Sequence, residues 1–113
     1  MLITDAHTHA SPIWYEPVET LLAAMDVHGV GTAVLVQMMG QFDNSYLLEC
    51  AHQRPDRFVA VVLVDHQHAD APRRLEDLVR HGAVGLRLEP TTRSPGADPL
   101  EIWRVAGQLG IPV

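Results

Sequence analysis

"PDRFVAVVLVD", residues 55–65, is the stretch that decides the fold of this chain. Every residue from Phe58 to Val64 is apolar, so apolar and polar positions do not alternate. A continuous apolar run of this length predicts a strand that is buried on both faces, which is typical of parallel sheets covered by helices. The stretch therefore indicates an α/β protein with a parallel sheet.

Comparable runs recur along the chain at regular intervals. Further strands are predicted over residues 2–7, 31–37 and 83–88. Helical patterns lie between the strands and begin near Pro17, Asn44, Asp70 and Asp98. The unit of one strand and one helix repeats about every 27 residues, and eight such units make a (β/α)8 barrel of about 220 residues. We therefore expect the first four units of a TIM barrel, followed by the start of a fifth strand at Ile111.

Four strands are too few to close a barrel. They leave two sheet edges and one sheet face without a partner, and such edges promote aggregation unless something pairs with them. We therefore expect residues 1–113 to be the N-terminal half of a larger TIM-barrel domain, either truncated or completed by another chain. The expected partner is a missing C-terminal half or a second copy in a homo-oligomer. The alternative is a small open α/β sandwich that is complete in itself.

Composition excludes several classes of partner. The formal net charge is −6, and the eight Lys and Arg residues form no basic run, so we expect no nucleic acid and no membrane surface as partner. Cys50 is the single cysteine and forms no internal disulfide, which suits a reducing compartment. The N-terminal sequence lacks the pattern of a signal peptide, so a cytoplasmic protein is expected.

Two histidines stand at the end of the first predicted strand. His7 and His9 are two positions apart, so their side chains share one face of a strand. Two imidazoles at the C-terminal end of a barrel strand can hold one metal ion, provided that one or two further protein ligands complete the site. A second pair, His66 and His68, lies in a polar stretch before a helix, and we interpret it as part of a solvated loop.

Four stretches in this order resemble the amidohydrolase-related (amidohydrolase 2) family of metal-dependent hydrolases. They are "ITDAHTH" (3–9), "GTAVLVQ" (31–37), "PDRFVAVVLVD" (55–65) and "GAVGLRLEP" (82–90). The resemblance covers essentially the whole chain and implies a (β/α)8 barrel in which His7 and His9 are ligands of a divalent metal, with zinc as the expected ion. The family takes its other ligands and its acid/base groups from the fifth, sixth and eighth strands. Those strands lie beyond Val113, so the catalytic residues stay unknown from this sequence.

Further candidates lie at the ends of other strands. Arg87 and Glu89 alternate with leucines on the fourth strand and are expected to point into the barrel, where Arg87 can grip a substrate carboxylate. Glu89 can contact substrate or a metal, since the fourth strand sometimes supplies a ligand in the wider superfamily. Gln37 ends the second strand and Trp14 follows the first, and both are predicted to contact substrate. The structural alternative for Arg87 and Glu89 is an ion pair between neighbours.

The resemblance implies hydrolysis of a lactone, ester or amide bond in a small carboxylated substrate by a metal-activated water. A nonoxidative decarboxylase of the same family is the first alternative. A catalytically inactive half-barrel that acts only in assembly is the second. A phosphoesterase-type domain also starts with Asp-x-His-x-His, but it usually carries a Ser-Asp pair soon afterwards, where this chain has residues 10–13, "ASPI".

Overall fold

The computed structural model describes residues 2–113. Its strands are β1 (Thr4–Thr8), β2 (Thr32–Val36), β3 (Phe58–Val62) and β4 (Gly85–Leu86). Its helices are α1 (Val18–His28), α2 (Ser45–Gln53), α3 (Ala71–Arg80) and α4 (Glu101–Gln108). Strands and helices alternate, and the strands form one parallel sheet in the order β1-β2-β3-β4. The structure confirms the predicted first four units of a TIM barrel.

The apolar strand β3 has one covered face and one open face. Phe58, Ala60 and Val62 are buried against the helices, with at most 3% of each residue exposed. Val59 lies on the opposite face, and 38% of it is exposed. The sequence predicts burial of both faces, whereas only one is buried within residues 2–113, because no described strand opposes the second face. We call this second face the inner face of the sheet.

Two apolar clusters hold the helices on the sheet. The first joins α1 and α2 to the first three units and includes Met25, Leu35, Leu47, Cys50 and Phe58. The second joins α3 and α4 to the same face of the sheet at β3 and β4, and it includes Val62, Leu75, Leu86, Ile102 and Ala106. Burial raises the pKa of the Cys50 thiol, so this cysteine packs as a small apolar residue and not as a nucleophile.

The fourth strand is shorter than predicted, but its pairing continues beyond its two residues. The Val84 N–H donates to the Ala60 carbonyl at 2.9 Å, and the Arg87 N–H donates to the Val62 carbonyl at 2.8 Å. On the other side of β4, the Leu86 N–H donates to the Pro112 carbonyl at 3.0 Å. The last residues of the chain therefore lie along β4, where the sequence predicts the start of a fifth strand.

None of the helices within residues 2–113 is long and apolar enough to cross a membrane.

Helix α2 begins where the sequence predicts, directly after Asn44, but a different residue makes the capping contact. Asn44 holds the N-cap position, but its side chain makes no capping hydrogen bond and is buried, with 4% of the residue exposed. The preceding residue supplies the contact instead: the Asp43 carboxylate accepts the Ser45 N–H at 3.0 Å and the Ser45 hydroxyl at 2.5 Å. These bonds favour the ionised form, so the pKa of Asp43 is lowered.

This contact predicts how an Asp43→Asn variant responds to pH. Because the folded-state pKa of Asp43 lies below the unfolded value of about 3.9, its stabilisation is present above that pH and is lost as the pH falls through the folded-state pKa. We expect the variant to be less stable than wild type by about 0.5 kcal/mol at pH 7, as for exposed carboxylates at helix N-termini. The difference should shrink below about pH 4. Urea unfolding at pH 7 and at acid pH measures it.

The matched control is Glu76→Gln, which removes an exposed carboxylate from the middle of α3. A stability difference between Asp43→Asn and wild type that is the same at both pH values would contradict the assignment.

Candidate active site

The predicted metal ligands His7 and His9 lie together at the C-terminal end of β1. Their ring centroids are 5.0 Å apart, and the ring planes are nearly perpendicular, at 85°. The Tyr15 ring from the following loop packs edge-on against His9 at 5.9 Å. His7 is exposed and His9 is half-buried, so both imidazoles can be reached from the end of the sheet.

A bulge in β1 lies between Asp5 and Thr8 and therefore includes His7. Asp5 pairs with Ala33 and Thr8 pairs with Leu35, so three steps along β1 correspond to two steps along β2. The Asp5 carboxylate accepts the His7 N–H at 3.2 Å and braces the irregular backbone. Bulges re-aim side chains and are frequent beside active sites. The bulge therefore interrupts the simple alternation of side chains along β1 between Asp5 and Thr8.

His9 is oriented by a hydrogen bond at its Nδ1 atom. Its Nδ1 lies 2.7 Å from the main-chain carbonyl oxygen of Val36, the last residue of β2. Because a carbonyl oxygen only accepts, Nδ1 carries the proton, and the lone pair lies on Nε2. Metal-binding histidines usually donate their second nitrogen to such a partner, which sets the tautomer and the ring orientation. The chemistry of His9 therefore fits a metal ligand that binds through Nε2.

The two histidines fit one half of a metal site. A catalytic zinc ion needs about three protein ligands and an open position for water. Among residues 2–113, no group of three or more His, Cys, Asp or Glu side chains is placed to hold an ion. The pair would supply two ligands, and a complete site would need further ligands from outside residues 2–113.

Arg87 lies on the inner face, as the alternation along the fourth strand predicts. Gly85 lies two residues before Arg87, so the two residues share one face of the strand. A Cβ atom at Gly85 would lie 3.1 Å from the Val61 side chain on the inner face of β3. The Arg87 guanidinium crosses the end of β3, and its Nη1 donates to the main-chain carbonyl of Gln37 at 2.7 Å. A guanidinium carries five N–H donors, so this contact leaves others for a two-point grip on a carboxylate. Its substrate role stays a prediction.

Gln37 contacts its own loop. Its Nε2 donates to the Asp43 carbonyl at 2.8 Å, and its Oε1 accepts the Met38 N–H at 2.9 Å. The residue is buried, with 6% of its surface exposed. The structure therefore uses the amide to hold the loop between β2 and α2, and a substrate contact by this amide stays a prediction that these contacts do not support.

Trp14 and Glu89 lie in separate places. Trp14 is 65% exposed and lines a cavity of about 120 Å³ between the loops that follow β1 and β2, together with Gln37. Glu89 is exposed and lines a cavity of about 80 Å³ beside Phe42 and His66. Arg87 is thus hydrogen-bonded to the Gln37 carbonyl, and Trp14 shares a cavity with Gln37. The cavity that Glu89 lines contains none of these three residues.

The second histidine pair serves the loop before α3. His68 Nδ1 accepts the Asp70 N–H at 3.1 Å, and the residue is exposed, which agrees with its interpretation as a loop residue. A larger cavity of about 360 Å³ lies between α2 and α3, on the covered side of the sheet. None of the candidate site residues lines it, so cavity size does not locate the chemistry in this chain.

Two contributors to the site were not predicted. One is the Val36 carbonyl, which holds His9, and the other is Asn44, whose amide ties the end of β2 to β3. A main-chain carbonyl leaves no residue-specific signal in a sequence. Asn44 does leave a signal in the sequence, but an asparagine before a helix predicts a helix cap and not a link between strands.

Comparison with known protein families identifies the family of this chain. The sequence model described as Amidohydrolase matches residues 4–113, which include both histidines and Arg87. The chain belongs to the amidohydrolase family. Enzymes of this family generally use a divalent metal ion. A comparison with curated protein sequences found no match.

Solved amidohydrolase-fold structures share the architecture. A 2,6-dihydroxybenzoate decarboxylase from Rhizobium superposes with a TM-score of 0.72 at 20% identity, over 99% of this chain and 49% of the decarboxylase. A probable 2-pyrone-4,6-dicarboxylic acid hydrolase from Acinetobacter baumannii, with citric acid bound, superposes with a TM-score of 0.67 at 24% identity. That match covers 96% of this chain and 46% of the hydrolase. The chain therefore spans about half the length of these structures, and the likeness shows the fold.

Proposed function

We propose that this amidohydrolase segment is the metal-binding half of a hydrolase that cleaves a lactone, ester or amide bond in a small carboxylated substrate. The observation that carries the proposal is the orientation of His9. Its Nδ1 is held by the Val36 carbonyl at 2.7 Å, and its ring stands 5.0 Å from that of His7. This arrangement prepares two imidazoles for an ion at the strand end where barrel enzymes place their chemistry.

His7 and His9 would hold the divalent ion, with zinc as the proposed metal. When bound, such an ion lowers the pKa of a coordinated water to about 7 and polarises a carbonyl group. Imidazole nitrogens suit zinc better than they suit magnesium or calcium, which prefer oxygen ligands.

Arg87 would bind the substrate carboxylate. Its guanidinium is half-buried, and the Gln37 carbonyl holds it at 2.7 Å, so little side-chain freedom remains to be lost when a carboxylate binds. The pairing is charge-assisted on both sides, which makes it stronger than a hydrogen bond between neutral groups.

The remaining ligands and the acid/base groups would come from strands that complete the barrel. The inner face with Val59 exposed and the pairing along β4 at Pro112 both suit further strands. We propose a C-terminal half, or a second copy of the chain, as the partner. A cytoplasmic location, without nucleic acid or membrane partners, forms part of the same proposal.

A nonoxidative decarboxylase is the second candidate function. The observation that supports it is that the chain superposes on a decarboxylase as well as on a hydrolase, so the fold suits both reactions. Both reactions use a carboxylated substrate, so the proposed role of Arg87 is common to them. The products differ, since hydrolysis consumes water and releases a new carboxylic acid, whereas decarboxylation releases carbon dioxide.

An assay of product type tests the proposal. The zinc-loaded protein, in the assembly in which it purifies, is given a panel of carboxylated lactones and a panel of hydroxybenzoic acids. We expect proton release from a lactone, without carbon dioxide. In the Arg87→Met variant we expect a KM at least about tenfold higher, since a charged hydrogen bond contributes about 1.5–3 kcal/mol.

The matched control is Arg93→Met, which removes an exposed arginine from the loop after β4. Carbon dioxide release from a hydroxybenzoic acid would favour the decarboxylase. Lack of turnover with both panels by a protein of barrel size would overturn the proposed activity.

A further inference from the structure

Two adjacent carbonyls at the end of β2 hold the two candidate functional groups. The Val36 carbonyl accepts the His9 Nδ1 proton at 2.7 Å, and the next carbonyl, that of Gln37, accepts from Arg87 Nη1 at 2.7 Å. His9 comes from the end of β1 and Arg87 from the end of β4. A single short segment between them therefore orients both side chains.

The Gln37 side chain fixes this segment. Its Oε1 accepts the Met38 N–H at 2.9 Å, and its Nε2 donates to the Asp43 carbonyl at 2.8 Å, so residues 36–38 are tied to the start of α2. The Gln37 N–H also donates to the Val61 carbonyl at 2.9 Å, which continues the pairing with β3. The carbonyls that face His9 and Arg87 thus belong to backbone that is held on both sides.

The Asn44 side chain fixes Gln37 in turn. Its Oδ1 accepts the Leu63 N–H at 3.0 Å and lies 3.4 Å from Gln37 Nε2. Its Nδ2 donates to the carbonyls of Leu63, at 2.9 Å, and Phe42, at 3.1 Å. Both amides are buried, and no buried side-chain polar atom within residues 2–113 lacks a partner. A buried polar network with every group satisfied specifies one arrangement of the segments that it joins.

We infer that Gln37 and Asn44 are positioning residues that set where His9 and Arg87 stand relative to each other. The inference rests on the proposed function, which assigns the metal to His9 and the substrate carboxylate to Arg87. Gln37 acts through its amide on the backbone that carries the two carbonyls, and Asn44 acts through Gln37 and the end of β3. The loop between β2 and α2 therefore sets the distance between His9 and Arg87. That distance selects the length of the substrate between its metal-binding group and its carboxylate.

The test uses one spectroscopic readout and one binding measurement, and neither needs turnover. The first is the set of guanidinium ¹⁵N–¹H signals of Arg87, which a held Nη1 keeps resolved at low temperature. The second is the affinity for Zn²⁺ alone, measured by competition with a chromophoric chelator. The first variant is Gln37→Met, which removes the side-chain amide and keeps the main-chain carbonyl of residue 37. The second is Asn44→Ala. Asn44→Asp keeps the acceptor for the Leu63 N–H and serves where Asn44→Ala does not fold.

Arg57→Met is the matched control at the opposite end of the same strands. The Arg57 Nε donates to the Gly31 carbonyl at 2.7 Å, and Nη2 donates to the Val30 carbonyl at 3.1 Å and to Asp26 at 3.0 Å. This variant also removes a side chain that donates to main-chain carbonyls, but it does so at the other end of the strands from residues 36–44. It reports the effect of lower stability alone.

We expect Gln37→Met and the folded Asn44 variant to lose the resolved Arg87 signals and to bind Zn²⁺ about tenfold more weakly, as changes in the outer partners of metal ligands do. Arg57→Met should keep both wild-type values. Wild-type Arg87 signals and Zn²⁺ affinity in a folded Gln37→Met protein would overturn the inference. If the wild type binds no Zn²⁺ through its histidines, the proposed function fails, and the Arg87 signals alone still decide the positioning role.

Discussion

Replacing His7 and His9 together by alanine is expected to abolish specific zinc binding, with at least a 100-fold loss of affinity. Loss of an outer hydrogen-bond partner already costs about 10–100-fold, and this variant removes both imidazoles that are proposed as direct ligands. The histidine rings stand 5.0 Å apart with the His9 tautomer set by Val36, so the wild type needs little reorganisation to bind. Metal content after dialysis and chelator competition measure the difference.

His66→Ala combined with His68→Ala is the matched control for this experiment. It removes the same number of imidazoles at the same spacing from a loop on the same chain. In that loop His68 accepts the Asp70 N–H at 3.1 Å, which is a structural contact. We expect the control to keep wild-type zinc affinity. Equal zinc content in the wild type and in the His7 and His9 double variant would contradict the metal site and remove the main support of the proposed function.

Replacing Leu75 by alanine is expected to lower the free energy of unfolding by about 3 kcal/mol. Leu75 lies on α3 with 0% of its surface exposed, inside the apolar cluster that also contains Val62 and Ile102. The substitution removes buried methyl groups and leaves a cavity that the rigid sheet beneath fills only in part. Urea unfolding monitored by circular dichroism gives the value. A loss below about 1 kcal/mol would show that α3 does not pack on the sheet as described.

Val59→Ala on the inner face is the matched comparison for the Leu75 variant. Val59 is 38% exposed, so the truncation should cost about 0.5 kcal/mol or less while the inner face is open. A cost of about 1 kcal/mol or more would be expected once further strands cover that face, because the side chain then becomes part of a core. The same variant therefore reports on assembly of the barrel as well as on packing.

Much of the fold could be predicted because it depends on local sequence. The apolar run of β3 and the helix starts near Pro17 and Asp70 each depend on a few consecutive residues. Their repetition at a regular interval then led to the right architecture. The bulge in β1 and the shortness of β4 could not be predicted, since both depend on how neighbouring strands are aligned. Asn44 shows the same limit: its local preference is a helix cap, but its amide binds Leu63, 19 residues later.

The sequence by itself determined the βα repeat, the parallel sheet and the placing of two histidines at the end of the first strand. Those features follow from periodicity and from the direction of a strand, which are properties of consecutive residues. Only the tertiary structure decided which nitrogen of His9 carries the proton and where the Arg87 guanidinium is held. Their partners, the carbonyls of Val36 and Gln37, lie 27 and 50 residues away along the chain. Main-chain carbonyls are identical in every residue, so their position becomes known only when the strands have been brought side by side.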